Sequence, residues 1–152
     1  MKQKIFYIVT FLILGLPFIS CETSDDVAME NTEINITDLK ATVTSGSWVV
    51  ALFEEEGLDE TTDFSGFSFL FNADGVLRAD SSDNSISGAW SITSDDDDSK
   101  DDVDFNIFFS SPANFAELSE DWDIVSFSET RIELKDVSDD DSTVDRLILE
   151  KQ

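Results

Sequence analysis

The sequence contains no histidine and only one cysteine, two prolines and one tyrosine among 152 residues. Without histidine, neither a Ser–His nor a Cys–His catalytic pair can form, and zinc sites built from histidine and cysteine are excluded. The six glycines form neither of the Gly-rich patterns that cradle phosphates. Carboxylate pairs, as in glycoside hydrolases, are the only candidate catalytic groups left. We therefore expect a protein that is not an enzyme and that carries no cofactor.

Basic residues are also scarce, with nine Lys and Arg against 34 Asp and Glu and a formal net charge of −25. Nucleic-acid binding is excluded, because contacts to phosphates need clustered Lys and Arg. The same charge disfavours direct electrostatic docking on anionic lipid. The acidity does not imply disorder throughout, because 41% of the residues are hydrophobic and include 13 Phe and three Trp. This composition is sufficient for one packed domain.

The first twenty residues have the organisation of a targeting segment. Two lysines precede a 15-residue run, 5–19, that is almost wholly apolar. A membrane-spanning helix needs about 20 such residues, so the run is typical of a signal-peptide core. It ends at Phe18-Ile19-Ser20-Cys21, which resembles the lipobox of bacterial lipoproteins. The resemblance implies removal of residues 1–20 and acylation of Cys21, so that a lipid anchors the chain to the membrane.

Residues 21–34 are polar and acidic and show no hydrophobic periodicity, which predicts a flexible tether in front of a domain at 35–152. Within the tether, Ser24-Asp25-Asp26 resembles the acidic export signal of Bacteroidota lipoproteins that are displayed outside the outer membrane. We therefore expect a lipid-anchored protein of the outer membrane. Display on the cell surface and a periplasm-facing position both remain open.

From Gly46 onward, apolar segments of about 4–8 residues alternate with turn residues, as expected for strands. The eight segments are Trp48–Phe53, Phe64–Phe71, Val76–Ala79, Gly88–Ile92, Val103–Phe109, Trp122–Phe127, Arg131–Lys135 and Arg146–Leu149. Consecutive strands with mostly short links predict an all-β, up-and-down, eight-stranded antiparallel barrel, which has no exposed edges. A β-sandwich is the alternative fold.

Several local features accompany this pattern. A short helix is predicted from Thr37, as its N-cap, to about Val43, and one further helical turn within Pro112–Ser119. Asp74-Gly75 predicts a tight hairpin in which both residues take positive φ. Three apolar residues depart from the inward register of their strands, which indicates either a β-bulge or an outward apolar patch. They are Phe108, Val125 and Phe127.

Short motifs along the domain indicate a family resemblance. They are Gly46-Ser47-Trp48, Phe67-x-Phe69-x-Phe71, Asp74-Gly75, Gly88-Ala89-Trp90, Leu118-x3-Trp122 and Leu147-x-Leu149-x-Lys151. Together they resemble the lipocalins, in particular the small lipocalin-like lipoproteins of Bacteroidota. The resemblance covers about residues 37–151 and implies an eight-stranded or half-open barrel of the calycin type. Many members of this group have no assigned ligand, so the resemblance leaves the function open.

Two acidic windows are candidate calcium sites, because Ca²⁺ prefers oxygen ligands. The first is Asp95–Asp98 with Asp101 and Asp102, and the second is Asp139–Asp141. An EF-hand loop starting at Asp95 would need Gly at its sixth position and Glu at its twelfth, but these positions hold Lys100 and Asn106. We therefore predict no metal site, and interpret both windows as solvated loops between strands.

The aromatic residues are the remaining candidates for a ligand site. The interior of an eight-stranded barrel either holds one small ligand or is filled by its own side chains. A domain without disulfides needs its aromatic residues for a core, so a packed interior is the preferred interpretation. If the interior binds a ligand, five residues are expected to line it: Trp48, Phe67, Phe69, Trp90 and Trp122. Each of the three Trp residues is expected at or near the start of a strand.

The sequence therefore favours a lipid-anchored, extracytoplasmic, noncatalytic β-barrel that binds a ligand or contacts an envelope protein. One alternative is a lipocalin-type carrier of a small apolar molecule. The other is a surface module that binds glycans with the help of Ca²⁺.

Overall fold

A computed structural model describes residues 34–94, 103–138 and 142–152. The predicted signal peptide, Cys21 and the tether up to residue 33 lie outside these residues. The acidic windows Asp95–Asp102 and Asp139–Asp141 lie outside them as well.

The described elements are two short helices, a 3-10 turn and nine strands. In chain order they are α1 (Ile36–Thr44), β1 (Ser47–Glu55), β2 (Leu58–Asp59), the 3-10 turn (Thr61–Phe64), β3 (Ser68–Phe71), β4 (Val76–Asp80), β5 (Ser85–Ser94), β6 (Val103–Phe108), α2 (Ala113–Ala116), β7 (Asp121–Phe127), β8 (Arg131–Val137) and β9 (Val144–Lys151).

Eight of the strands form a closed antiparallel barrel. From β3 to β9 each strand pairs with the next, and β1 closes the sheet by pairing with both β3 and β9. The two-residue β2 only extends the end of β1 as a hairpin. Closure pairs the outermost strands with each other and removes the free edges of the sheet. The predicted up-and-down barrel is confirmed, and the alternative β-sandwich is wrong.

Two predicted strand starts differ from the observed ones by three residues or more. The predicted strand Phe64–Phe71 is extended only from Ser68, because Phe64 ends the 3-10 turn and Gly66 has a φ of +83°. β5 begins at Ser85 rather than at Gly88, because its first residues pair with β4. Trp90 is therefore in the middle of a strand and not near its start. Polar residues can begin a strand here because the outer face of the barrel is exposed to solvent.

The N-cap of α1 is Asn35 rather than Thr37. The side-chain oxygen of Asn35 accepts hydrogen bonds from the main-chain N–H groups of Thr37 at 3.0 Å and of Asp38 at 3.2 Å. These bonds satisfy two donors that the first helical turn cannot pair internally. Leu39 and Val43 of the helix are fully buried against the barrel core.

The β3–β4 turn has a different geometry from the one predicted. Only Gly75 takes positive φ, at +84°, and its N–H donates to the Asn72 carbonyl oxygen at 3.0 Å. Asp74 instead accepts a 3.2 Å hydrogen bond from the Val76 N–H. The connection is thus a three-residue loop ending in glycine, a common alternative to the two-residue hairpin.

The core follows the predicted alternation of β6, in which Val103, Phe105 and Ile107 face inward and are buried. Phe108 points outward with 59% of its surface exposed. It lies opposite Ala89 of the neighbouring strand β5, and Ala89 lies opposite Val76 of β4. Val125 is exposed at a register shift between β7 and β8, so here the bulge explanation is correct. Phe127, by contrast, is half-buried and packs against the core.

Candidate functional site

The five aromatic residues proposed to line the interior are part of the packed core. Trp48 and Trp122 have no exposed surface, Phe69 has 2% and Trp90 has 8%. Phe67 is half-buried and packs against the same core.

The indole N–H of each of the three Trp residues donates a hydrogen bond to a main-chain carbonyl oxygen. The indole nitrogen of Trp48 donates to the Val43 carbonyl oxygen at 2.9 Å, at the end of α1. The other two indoles donate to carbonyl oxygens in the connections: Trp90 to Asn72 at 2.9 Å, and Trp122 to Leu118 at 3.1 Å. A buried indole N–H needs such a partner. The three Trp residues therefore attach α1, the β3–β4 turn and the end of α2 to the barrel.

The rings do not meet at one common site. Phe67 and Phe69 contact Phe115 of α2, with centroid distances of 5.0 and 5.9 Å. Trp90 instead packs against Phe71 at 5.4 Å and Phe105 at 5.9 Å. The structure thus places Phe67, Phe69 and, through Phe53 at 6.4 Å, Trp122 in one aromatic cluster and Trp90 in another. Trp48 belongs to neither cluster, and the Lys151 ammonium lies over its ring.

A cleft of about 460 Å³ lies where α1, the β3–β4 turn and the end of β5 meet. Its lining consists of Lys40, Ala41 and Thr44 from α1, residues 73–75 from the turn, and Trp90, Ser91 and Ile92 from β5. The volume is within the range of about 300–1,000 Å³ that is usual for small-molecule sites. Of the five predicted ligand residues, only Trp90 lines this cleft.

Lys40 is the distinctive residue of the cleft. Within the described ranges, it is the one basic side chain that has no ion pair, hydrogen bond or ring contact of its own. The others are partnered: Arg78 with Asp80 (2.9 Å), Arg131 with Glu150 (2.7 Å), Lys135 with Asp123 (3.3 Å), Arg146 with Glu54 (3.4 Å), and Lys151 with the Ser45 hydroxyl (2.7 Å). In so acidic a protein, a cation without a partner is a notable exception.

Sequence reasoning missed both charged residues of the cleft, Lys40 and Asp74. One available signal was that Lys40 is the only basic residue between Lys4 and Arg78. Asp74 carries only a turn signal in the sequence, because a chain with 34 acidic residues gives no reason to select one of them.

Three carboxylates form a second polar group, at β1, at the 3-10 turn and after α2. Single oxygens of Glu55, Glu60 and Glu117 lie within 4.8 Å of one another, and all three residues are half-buried. Burial and then the charge of Glu117 raise the pKa of the Glu55 carboxyl. The same two causes raise the pKa of the Glu60 carboxyl. The residues are far apart in sequence, so no local pattern indicated this group.

Neither helix of the described part is long and apolar enough to cross a membrane. No protein-family model matches the chain, and no curated protein matches it. The closed eight-stranded antiparallel barrel is compatible with a lipocalin-like or calycin fold.

Proposed function

We propose that the protein is a noncatalytic binding module that takes a small molecule in the cleft between α1, the β3–β4 turn and β5. The observation that carries the proposal is the Lys40 ammonium, which has no partner in the described part of the chain and lines a cleft of about 460 Å³ beside Trp90. Binding sites characteristically combine an apolar wall with a few polar groups that orient the ligand.

The cleft is a better candidate than the barrel interior. The interior aromatic rings contact one another, and the indole N–H groups are bonded to the main chain. A ligand in their place would have to displace these contacts. The cleft already offers volume, an apolar wall and an available charge. The absence of histidine from the sequence supports a role in binding rather than in catalysis.

The N-terminal sequence supports the further proposal that this module is lipid-anchored through Cys21, as in the lipocalin-like lipoproteins of Bacteroidota. The supporting observations are the short apolar run and the Phe18-Ile19-Ser20-Cys21 sequence. Under this proposal the acidic barrel is held at the outer membrane by its lipid, where it meets its small ligand or an envelope protein.

Saturation-transfer NMR on the intact chain tests the binding proposal. The compounds are a small panel of aromatic and aliphatic acids, amines and amino acids. Ser91→Trp should fill the cleft, because Ser91 is an exposed residue of its lining. Ser87→Trp is the matched control, because Ser87 is exposed on the same face of β5 but does not line the cleft.

We expect a subset of the panel to give signals with the parent and with Ser87→Trp, and to lose them with Ser91→Trp. Signals that are equal in all three proteins, or absent from all three, would refute the cleft as the binding site.

A further inference from the structure

We propose that the ligand of the cleft is a small zwitterion with an apolar body, whose anionic group pairs with Lys40 and whose cationic group pairs with Asp74. The inference rests on the proposed function, since it names the ligand class for the same cleft. It follows from the three kinds of surface that line the cleft: one ammonium, one carboxylate and an apolar wall.

The Lys40 ammonium offers three hydrogen-bond donors and no acceptor. Lys40 is exposed, and no carboxylate of the described residues lies within ion-pair distance of it. In this protein the other described cations are engaged by acidic or polar groups or by an aromatic ring. An anionic group that enters the cleft would therefore not compete with a described protein carboxylate for this ammonium.

The Asp74 carboxylate is only partly used by the protein. One oxygen, Oδ1, accepts the 3.2 Å hydrogen bond from the Val76 N–H and holds the side chain in the turn. The other oxygen accepts no hydrogen bond from the described part of the chain, so it is available to a cationic donor. Asp74 and Lys40 line the same cleft but form no ion pair with each other, so neither charge is neutralised by the other.

Most of the cleft lining is apolar. Trp90 and Ile92 contribute to it, and both are less than a tenth exposed. The indole nitrogen of Trp90 is bonded to the Asn72 carbonyl oxygen, so Trp90 offers the ligand no free side-chain donor. Ala41 and Ala73 add small side chains that leave room for a ligand body.

The charge of the protein favours a zwitterion over a simple ion. A net charge of −25 repels an anion at long range, even though Lys40 would hold it at short range. A simple cation would be attracted generally by the protein, but in the cleft it would meet the Lys40 ammonium. A zwitterion has no net charge and satisfies both side chains, which is the arrangement that gives electrostatic specificity.

The test compares three compounds that share a phenylethyl group: L-phenylalanine (zwitterion), 3-phenylpropionate (anion) and 2-phenylethylamine (cation). Each is titrated into the intact chain by calorimetry. Lys40→Gln and Asp74→Asn remove one charge each, and the asparagine retains the oxygen that accepts from Val76. Lys135→Gln and Asp83→Asn are the matched controls, because neither residue lines the cleft. Equal melting temperatures of parent and variants establish that all are folded.

We expect phenylalanine to bind the parent about tenfold more tightly than either analogue does. Each of the two cleft variants should lower the affinity for phenylalanine about tenfold, whereas the control variants should leave it unchanged. Lys40→Gln should shift the preference towards the amine, and Asp74→Asn towards the acid. Either analogue binding the parent as tightly as phenylalanine, or no effect of the two cleft variants, would overturn the zwitterion proposal. The zwitterion proposal would also be overturned if none of the three compounds bound, while other compounds of the NMR panel bound the parent and lost binding in Ser91→Trp. If no panel compound binds that cleft, the proposed function itself fails.

Discussion

The indole nitrogen of Trp48 donates a 2.9 Å hydrogen bond to the main-chain oxygen of Val43, and both residues are completely buried. Val43 is in the last turn of α1, where a helix has carbonyl groups without internal partners. The bond therefore satisfies the end of the helix and joins it to the first strand of the barrel. The Lys151 ammonium, 5.5 Å from the centre of the same indole ring, connects β9 to this point.

Replacing Trp48→Phe should lower the free energy of unfolding by about 2–4 kcal/mol, because it removes packing volume and leaves the Val43 carbonyl unpaired. Urea denaturation followed by circular dichroism measures this change. Trp122→Phe removes the matching bond to the Leu118 carbonyl oxygen and should have a similar cost. A loss under about 0.5 kcal/mol in both variants would contradict the role given to the indole bonds.

Phe115→Ala should lower the free energy of unfolding by about 3–5 kcal/mol, because a buried ring is lost and leaves a cavity. Phe115 is 1% exposed and contacts the rings of Phe64 at 5.3 Å and Phe109 at 5.2 Å, besides Phe67 and Phe69. Phe108→Ala is the control, because 59% of Phe108 is exposed, and its change should stay within about 0.5 kcal/mol. Equal losses in the two variants would show that α2 does not complete the core.

The stability of the barrel should increase on acidification from neutral pH. Burial and neighbouring carboxylates raise the pKa of Glu55 and of Glu60. Because the folded state binds these protons more tightly, their stabilising contribution is complete below the ordinary glutamate pKa of about 4.3, and is lost as the pH rises through the raised values. Melting temperatures recorded between pH 8 and pH 5 should therefore rise as the pH falls.

At lower pH, further acidification should lower the melting temperature instead of raising it. The hydrogen bond from Thr61 lowers the pKa of Asp59, and the bond from Ser85, followed by that from Arg78, lowers the pKa of Asp80. Their contribution is present above the ordinary aspartate pKa of about 3.9 and is lost as the pH falls through the lowered values.

Glu60→Gln should raise the melting temperature at neutral pH and weaken its pH dependence, because it removes one carboxylate from the group with Glu55 and Glu117. Glu129→Gln, in the exposed β7–β8 turn, is the control that removes one negative charge elsewhere. If both variants give the same pH profile, the general charge of the protein, rather than this group, governs the dependence.

Cys21→Ala should abolish incorporation of a labelled fatty acid and release the protein from the membrane fraction, because the acylated thiol is the proposed anchor. Labelling and fractionation of cells that produce the parent and the variant measure both effects. Cys21→Ala protein that retains both the label and the membrane location would refute the anchor. Protease treatment of intact cells then separates surface display from a periplasm-facing position.

Local patterns were sufficient to predict the barrel and its strand order. The alternation of Val103, Phe105 and Ile107 determined which face of β6 is buried, because side chains of a strand alternate between faces. Strand limits were less well predicted, as at Phe64 and Gly88. The 3-10 turn depends partly on Asp59 accepting a hydrogen bond from the Thr61 N–H, and Ser85–Ser87 are strand residues only because β4 lies beside them.

The sequence by itself determined the fold class, the scarcity of usual catalytic groups and the need for an aromatic core, because composition and a period of two are local properties. Only the tertiary structure decided which side chains meet. Barrel closure brings Lys40 of α1 and Asp74 of a turn to one cleft, and Glu55, Glu60 and Glu117 to one carboxylate group. These contacts join residues that are distant in sequence, and they depend on strand pairing and on how each connection packs against the barrel.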